Sequence, residues 1–442
     1  MPTLGAIADD FTGATDLATM LVARGYRTVV AVGPDSIADD TGRTAVDDAD
    51  AVVIALKSRT APVAEAVDSS LAALRALRAA GCERFYFKYC STFDSTARGN
   101  IGPVTDALLD ALGERRAVVV PSFPATGRTV YRGRLFVHDD LLDESPMSRH
   151  PLTPMLDSHV GRLLTPQTTH PVRLVGLDTV RAGAEALAAA LDDPALADAL
   201  VVVDATEDAD LRTVSAATAH HPLVTGAAGL ALGLTGPRPD AARVRAASRP
   251  GDPAVVLSGS ASSATRAQVA HGRARLPHRK LDLAALRADF DAAVGELTAF
   301  ARDCWQRDPQ RPPLLYAVGD PSDLDGSPAA SDLVERALAA CATRLVEAGA
   351  RRLLVAGGET SGSVVTALGV RTLTIGSPIA PGVTWARATC RGRTDERAAA
   401  GDRNQDRDRD RDGNDGHTVD VALKSGNFGG QDIFTEAWSA LA

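Results

Sequence analysis

Short unbroken apolar runs recur along this chain, separated by stretches in which apolar residues return every three or four positions. Unbroken runs of four to six residues suit strands buried on both faces, and the spaced stretches suit amphipathic helices. In the first 235 residues, strands are predicted at 4–8, 28–32, 51–56, 84–89, 117–121, 172–177, 200–205 and 222–226. Helices are predicted over 63–80, 104–112 and 182–191. This alternation is the βαβ grammar of an open α/β domain.

Residues 235–252 break the pattern with three prolines, a run of arginines and little apolar content, and they predict a linker. Strands resume at 254–257, 314–319, 352–357, 370–375 and 419–424, with helices over 282–307 and 331–349. The expected architecture is two α/β domains with largely parallel sheets, 1–234 and 253–442, with the active site in the cleft between them. Residues 390–416 are dominated by Arg, Asp, Gly and Asn, with few apolar residues. Such a run cannot offset its ordering entropy and is expected to be disordered.

Composition then narrows the class. At 442 residues and 45% hydrophobic content, two or three cores are expected. No apolar run approaches about 18 residues, so no transmembrane span is expected. The N-terminus meets acidic residues at once and does not read as a signal peptide. Five scattered cysteines with no CxxC pair predict reduced thiols, a cytoplasmic setting and no zinc site. A net charge of -9 argues against general nucleic-acid binding. Only four of the 47 basic residues are lysines, and Lys57, Lys88 and Lys424 each end an apolar strand. A compact ammonium is not interchangeable with a guanidinium in a pocket, so these three are candidate ligand contacts.

In open α/β sheets, ligands bind beyond the carboxyl ends of the strands. After 4–8 come Asp9 and Asp10, a pair of carboxylates ahead of a small-residue turn. Neighbours on an extended chain point oppositely, so one of the two, Asp10, is expected to face a pocket. Helix capping by Thr12 or Thr15 accounts for Thr15 and Asp16 as first-turn residues. After 51–56 come Lys57, Ser58 and Arg59, which suit a carboxylate or phosphate. After 84–89, Ser91, Thr92, Asp94, Ser95, Thr96 and Arg98 crowd one loop, as for a polyol with Asp94 as general base. Ser122 to Thr129, including Arg128, extends the same surface.

The second half has three Gly/Ser loops at strand ends: Ser258-Gly259-Ser260, Gly357-Gly358-Glu359-Thr360-Ser361, and Lys424-Ser425-Gly426. The second alone is either a tight βα turn or an anion site at a helix start. Three such loops in one domain suit a phosphate rim. There is no GK dipeptide, GxGxxG, HExxH or GxSxG, so Walker, dinucleotide, zincin and hydrolase readings lack their motifs.

The stretches IADDFTGATD, VVIALKSR, YFKYCSTFDSTARGNIGPVTDAL, GRTVYRGRLFV, VLSGSASSATRAQV, VAGGETSG and VALKSGNFGG together resemble the four-carbon acid sugar kinase family. KYCSTFDST and SPMSRHPLTPM resemble most the branch acting on 3-oxo-tetronate, with threonate and erythronate kinases as near alternatives. The resemblance implies an acid-sugar-binding N-terminal domain, an ATP-binding C-terminal domain and a 4-phosphate product. ATP contacts would fall on Ser258, Gly357, Gly358, Glu359, Thr360, Ser361 and Gly426, with Mg²⁺ bound by ligands the sequence does not identify. Ala261 stands where a cysteine is expected, and the 390–416 insert departs from the pattern. In that setting Asp94 or Asp10 is the expected base. Asp9, Lys57, Ser91, Thr92 and Arg128 are expected to line the acid-sugar pocket, Arg59 and Lys88 to hold the substrate carboxylate, and Lys424 to meet phosphate. The expected partners are a small-molecule acid sugar and ATP, with neither nucleic acid nor membrane; a homodimer is an open alternative to a monomer. A non-catalytic sugar-acid sensor would need the first pocket but not the three glycine loops.

Overall fold

The computed structural model describes residues 2–38, 40–149, 153–238, 248–249, 251–323, 327–390 and 418–441. Most of the expected linker and residues 391–416 of the expected disordered insert lie outside the described residues. The chain divides into two compact units, Met1–Arg243 and Val244–Ala442.

In the first unit, strands β1 (Leu4–Ala8), β2 (Thr28–Val32), β3 (Ala51–Ala55), β4 (Arg84–Lys88), β5 (Ala117–Val120), β9 (Val172–Val175), β10 (Leu200–Val203) and β11 (Leu223–Gly226) form one sheet. Their order is β2-β3-β1-β4-β11-β5-β10-β9, and every pairing is parallel. The unbroken apolar runs are explained by burial on both faces: all five residues of β1 and of β3 are buried. One core cluster runs through Ile7, Ile54, Phe87, Leu108, Val119 and Leu200. Each such side chain contributes about 1.5–3 kcal/mol on burial. Strands β6 (Arg128–Tyr131), β7 (Arg134–Val137) and β8 (Asp140–Leu141) make a small antiparallel sheet that the apolar pattern did not predict.

The second unit contains β12 (Ala254–Ser258), β13 (His278–Lys280), β14 (Leu314–Tyr316), β15 (Arg352–Ala356), β16 (Val370–Ala380), β17 (Val383–Cys390) and β18 (Thr418–Lys424). The order is β13-β14-β12-β15-β18-β17-β16. The first five pair in parallel, whereas β16 and β17 are antiparallel. Val256, Leu354, Trp385 and Phe434 anchor its core. The helix expected over 282–307 is two helices, Leu283–Ala288 and Phe290–Arg307, because Asp289 leaves the helix and caps the second with its carboxylate on the Ala292 N–H. Among the described residues no helix is long and apolar enough to cross a membrane.

Candidate active site

In the first unit, chemistry gathers where the chain order reverses around β1. The ends of β3, β1 and β4 are level, because Ala8 pairs with both Ala55 and Lys88. The Asp9 carbonyl accepts the N–H groups of Ser58 (3.0 Å) and Arg59 (3.1 Å), which seats Arg59 beside the aspartates. Asn100 fixes the far side of that loop: its Nδ2 donates to the carbonyls of Ser58 (2.7 Å), Arg59 (3.2 Å) and Ala61 (2.9 Å).

Arg59 is the hub. Its Nε and one terminal nitrogen donate to the two Asp9 oxygens at 2.9 and 2.8 Å. The same nitrogen lies 2.8 Å from Asp10 Oδ1, and the other lies 3.8 Å from Asp94 Oδ2. Both adjacent aspartates therefore face one guanidinium, contrary to the expectation that only Asp10 would face the pocket. The planar fork is wide enough to reach both. Burial works against the Arg59 charge, but Asp10 and Asp9 outweigh it and hold the guanidinium well above its usual range. Two of its three nitrogens are thus engaged by Asp9 and Asp10, while the third, expected to serve a substrate carboxylate, keeps only the long approach to Asp94.

Asp10 is also the N-cap of the helix Phe11–Ala23, which starts earlier than the Thr12/Thr15 capping reading allowed. Its Oδ1 accepts the Gly13 N–H at 2.8 Å and its Oδ2 accepts the Thr12 hydroxyl at 2.8 Å. Burial raises its carboxyl, but Arg59, then Lys88, and these two donors more than offset this and leave it below the ordinary value. Burial instead prevails at Asp9, whose carboxyl is raised despite Arg59.

Lys88 is buried and donates to the Tyr89 carbonyl at 3.0 Å. Gly13 makes room for it: a Cβ there would lie 2.9 Å from Lys88 Nζ. The hydroxyl-rich loop follows. Thr92 donates to Asp94 Oδ1 at 2.8 Å and meets Cys90 Sγ at 2.9 Å. Burial pushes the Cys90 thiol up to about 12, so it stays protonated and unreactive. Phe93 takes a left-handed φ of 62° and is held there by complete burial and an edge contact with Tyr89. Ser91 is buried in this loop. Arg128 is buried within electrostatic reach of Cys90, Asp94 and Asp16, and its Nε has no hydrogen-bond partner. Lys57 is exposed, unlike Lys88.

In the second unit, three adjacent strands again end level: Ala356 pairs with Ser258 on one side and Lys424 on the other. The Ala356 carbonyl accepts from Gly259 and Ser260, and the Lys424 carbonyl from Gly357 at 2.8 Å. This crossing demands glycine. Gly357 has φ 127°, and a Cβ on Gly259 would lie 2.3 Å from Thr360 Oγ1. The helix Gly358–Ala367 begins without a side-chain cap, leaving its N-terminal N–H groups to other partners. The hydroxyls of Ser258 and Ser361 are buried with no hydrogen-bond partner. Glu359 is partly buried at the start of that helix.

Lys424 is completely buried, with Nζ 2.8 Å from the Ser425 carbonyl, 3.1 Å from the Gly426 carbonyl and 3.2 Å from Thr265 Oγ1. The Gly426 carbonyl also accepts from Ser262 and Thr265, each at 2.7 Å. Desolvation alone lowers the Lys424 ammonium to about 7. Level strand ends, glycine crossings, an uncapped helix start, two partnerless hydroxyls and an uncompensated lysine suit a polyphosphate.

The sequence reading named no role for Asn100, Ser262 or Thr265, although all three lie inside stretches that carry the family resemblance, because their side chains act on backbone carbonyls and not as an obvious charged or paired group. It also overlooked one group of possible metal ligands among the described residues, Asp192, His220 and His221, well apart from these loops in sequence; Arg116 is ion-paired to Asp192 at 2.9 Å.

Two family models divide the chain as the chemistry does: a sugar-binding N-terminal domain matches residues 4–234, and a nucleotide-binding C-terminal domain matches residues 255–434. A sugar-binding domain joined to a nucleotide-binding domain is the make-up of a carbohydrate phosphotransferase. The chain belongs to the four-carbon acid sugar kinase family. It is 48% identical to the 3-oxo-tetronate kinase of Burkholderia multivorans, over 100% of this chain and 97% of the relative. It is 48% identical to that of Pseudomonas fluorescens, with the same coverage, and 40% identical to that of Salmonella typhimurium, over 98% of each. Among solved structures it is similar to a Salmonella typhimurium LT2 protein (TM-score 0.80, 38% identity, 99% of each chain). A Haemophilus influenzae protein is also similar (TM-score 0.72, 37% identity, 99% of this chain and 100% of that one).

Proposed function

We propose that this protein is an ATP-dependent kinase that phosphorylates the 4-hydroxyl of 3-oxo-tetronate. The observation that carries the reading is full-length similarity to kinases of that substrate, with both halves of the required chemistry present in the described chain. The first unit supplies buried cations and carboxylates for an acid sugar, and the second supplies the anion rim. A sugar-acid sensor would have no use for that rim. Threonate or erythronate as the preferred substrate is not favoured by the named relatives.

In the reaction the 4-hydroxyl oxygen forms a bond to the γ-phosphorus of ATP as the bond to the β,γ-bridging oxygen breaks and ADP leaves. Such transfer depends on positioning and charge stabilisation more than on covalent chemistry by the protein. Lys88 and Arg128 hold the substrate carboxylate, since Arg59 is largely engaged by Asp9 and Asp10. Arg59 instead fixes Asp9, Asp10 and Asp94 relative to one another. Asp94 takes the hydroxyl proton; it is less committed than Asp10, which is bound by Arg59, Thr12 and Gly13. Ser258, Gly357, Gly358, Thr360, Ser361 and Gly426 cradle the phosphates, and Lys424 meets their charge. Mg²⁺, when bound, neutralises phosphate charge, and Glu359 with the Thr360 and Ser361 hydroxyls are the oxygen donors on this rim suited to it.

A coupled ADP-release assay over 3-oxo-tetronate, threonate and erythronate tests the substrate. The expected result is turnover with the highest kcat/KM on 3-oxo-tetronate. ADP release no faster than ATP alone on every acid would sink the proposal.

A further inference from the structure

One buried carboxylate near the sugar site is left over. Asp16 is 4% exposed, and its Oδ1 is fully buried with no hydrogen-bond partner. It follows Gly13 by three residues and Thr12 by four on the helix Phe11–Ala23, so it shares their face, one turn on. That face lies against Lys88, whose ammonium occupies the space a Gly13 side chain would fill. Lys88, Asp10 and Arg128 are the charged groups felt by Asp16. Arg128 also keeps a buried donor, Nε, without a partner.

A folded protein rarely leaves a carboxylate oxygen buried and undonated, because its lost hydration is not replaced. Here an unused acceptor and an unused donor lie beside a buried ammonium. An acid sugar supplies the complements of all three: a carboxylate for the cations and hydroxyls for the acceptor. The first-turn role that the sequence offered Asp16 does not explain it, since it sits in the second turn and caps nothing.

We infer that Asp16 contacts the substrate, accepting a hydrogen bond from a hydroxyl of the acid sugar whose carboxylate Lys88 and Arg128 hold. This rests on the proposed kinase function and names a substrate contact that function does not require. Burial raises the Asp16 carboxyl to about 6 against the pull of Lys88, so at neutral pH it remains mostly an acceptor.

The test is steady-state kinetics and thermal unfolding of Asp16→Asn and Asp16→Ala beside the wild type. Loss of a hydrogen bond to a charged acceptor raises KM for 3-oxo-tetronate about ten- to a hundredfold in Asp16→Ala. The smaller rise is expected in Asp16→Asn, with KM for ATP unchanged and melting temperature unchanged or higher in both. An unchanged acid-sugar KM with a lowered melting temperature would make Asp16 a structural partner of Lys88 and overturn the inference. A fall in kcat alone would also overturn it. In both cases the kinase function would stand, whereas a wild type inert on every tetronate would overturn both.

Discussion

The two units solve the problem of a buried cation in opposite ways. In the first, Arg59 is surrounded by Asp9, Asp10 and Asp94, and its charge is compensated within the protein. In the second, Lys424 has only neutral oxygens around its ammonium and loses most of its preference for the charged state. A saturated ion cluster holds a shape; an unsaturated cation waits for an anion. Under the proposed function the contrast gives Arg59 a scaffolding part and Lys424 the ligand charge, although each lies at or beyond the end of a strand of its sheet.

Replacing each cation should therefore give opposite stability effects. Arg59→Ala strands two buried carboxylates and should cost about 3 kcal/mol or more in denaturant unfolding, with activity lost. Lys424→Met removes an uncompensated charge, so unfolding stability should hold or rise while kcat/KM for ATP falls at least about a hundredfold. Equal destabilisation by both variants would erase the distinction. Asp94→Asn should keep the fold and lower kcat about a hundredfold; near-normal turnover would remove Asp94 as the base.

The difference extends to pH. The Lys424 ammonium titrates at about 7 when folded and near its ordinary 10.5 when unfolded. Between those values the unfolded chain binds more protons, so this group's contribution makes stability rise with pH from about 7 to 10.5 and stay level below 7. An anion on the rim restores the charge. ATP binding near pH 8 should take up close to one proton in calorimetry across buffers of different ionisation enthalpy, and Lys424→Met should abolish the uptake. Uptake unaffected by that substitution would place the proton elsewhere.

The smallest effect is expected at Asn100, which secures the Arg59 loop through three carbonyls. Asn100→Ala should raise the acid-sugar KM about three- to tenfold and leave KM for ATP alone. A change in the ATP term instead would detach Asn100 from the sugar site.

Strands whose residues are buried on both faces were legible because burial writes itself as an unbroken apolar run, as in β1, β3, β10, β12 and β15. β13 is His-Arg-Lys, exposed throughout, and carries no apolar signal. β17 alternates and pairs antiparallel, so its pattern was not that of its neighbours. At the site, residue types after each strand singled out loops that the structure brings together at level strand ends, but their division of labour depends on contacts. Gly13 reads as a turn glycine, yet it lies in a first helical turn that Lys88 packs against. Asp10 reads as a pocket acid and is also a cap. Lys57 and Arg59 look equivalent two residues apart, yet only Arg59 turns inward.

The most direct test of the account is phosphorus NMR on the purified wild type with ATP, Mg²⁺ and 3-oxo-tetronate. The account predicts a new phosphomonoester resonance, with coupling to the C4 protons, growing in step with ADP. ATP that stays intact, or ADP that appears with inorganic phosphate and no phosphomonoester, would contradict it.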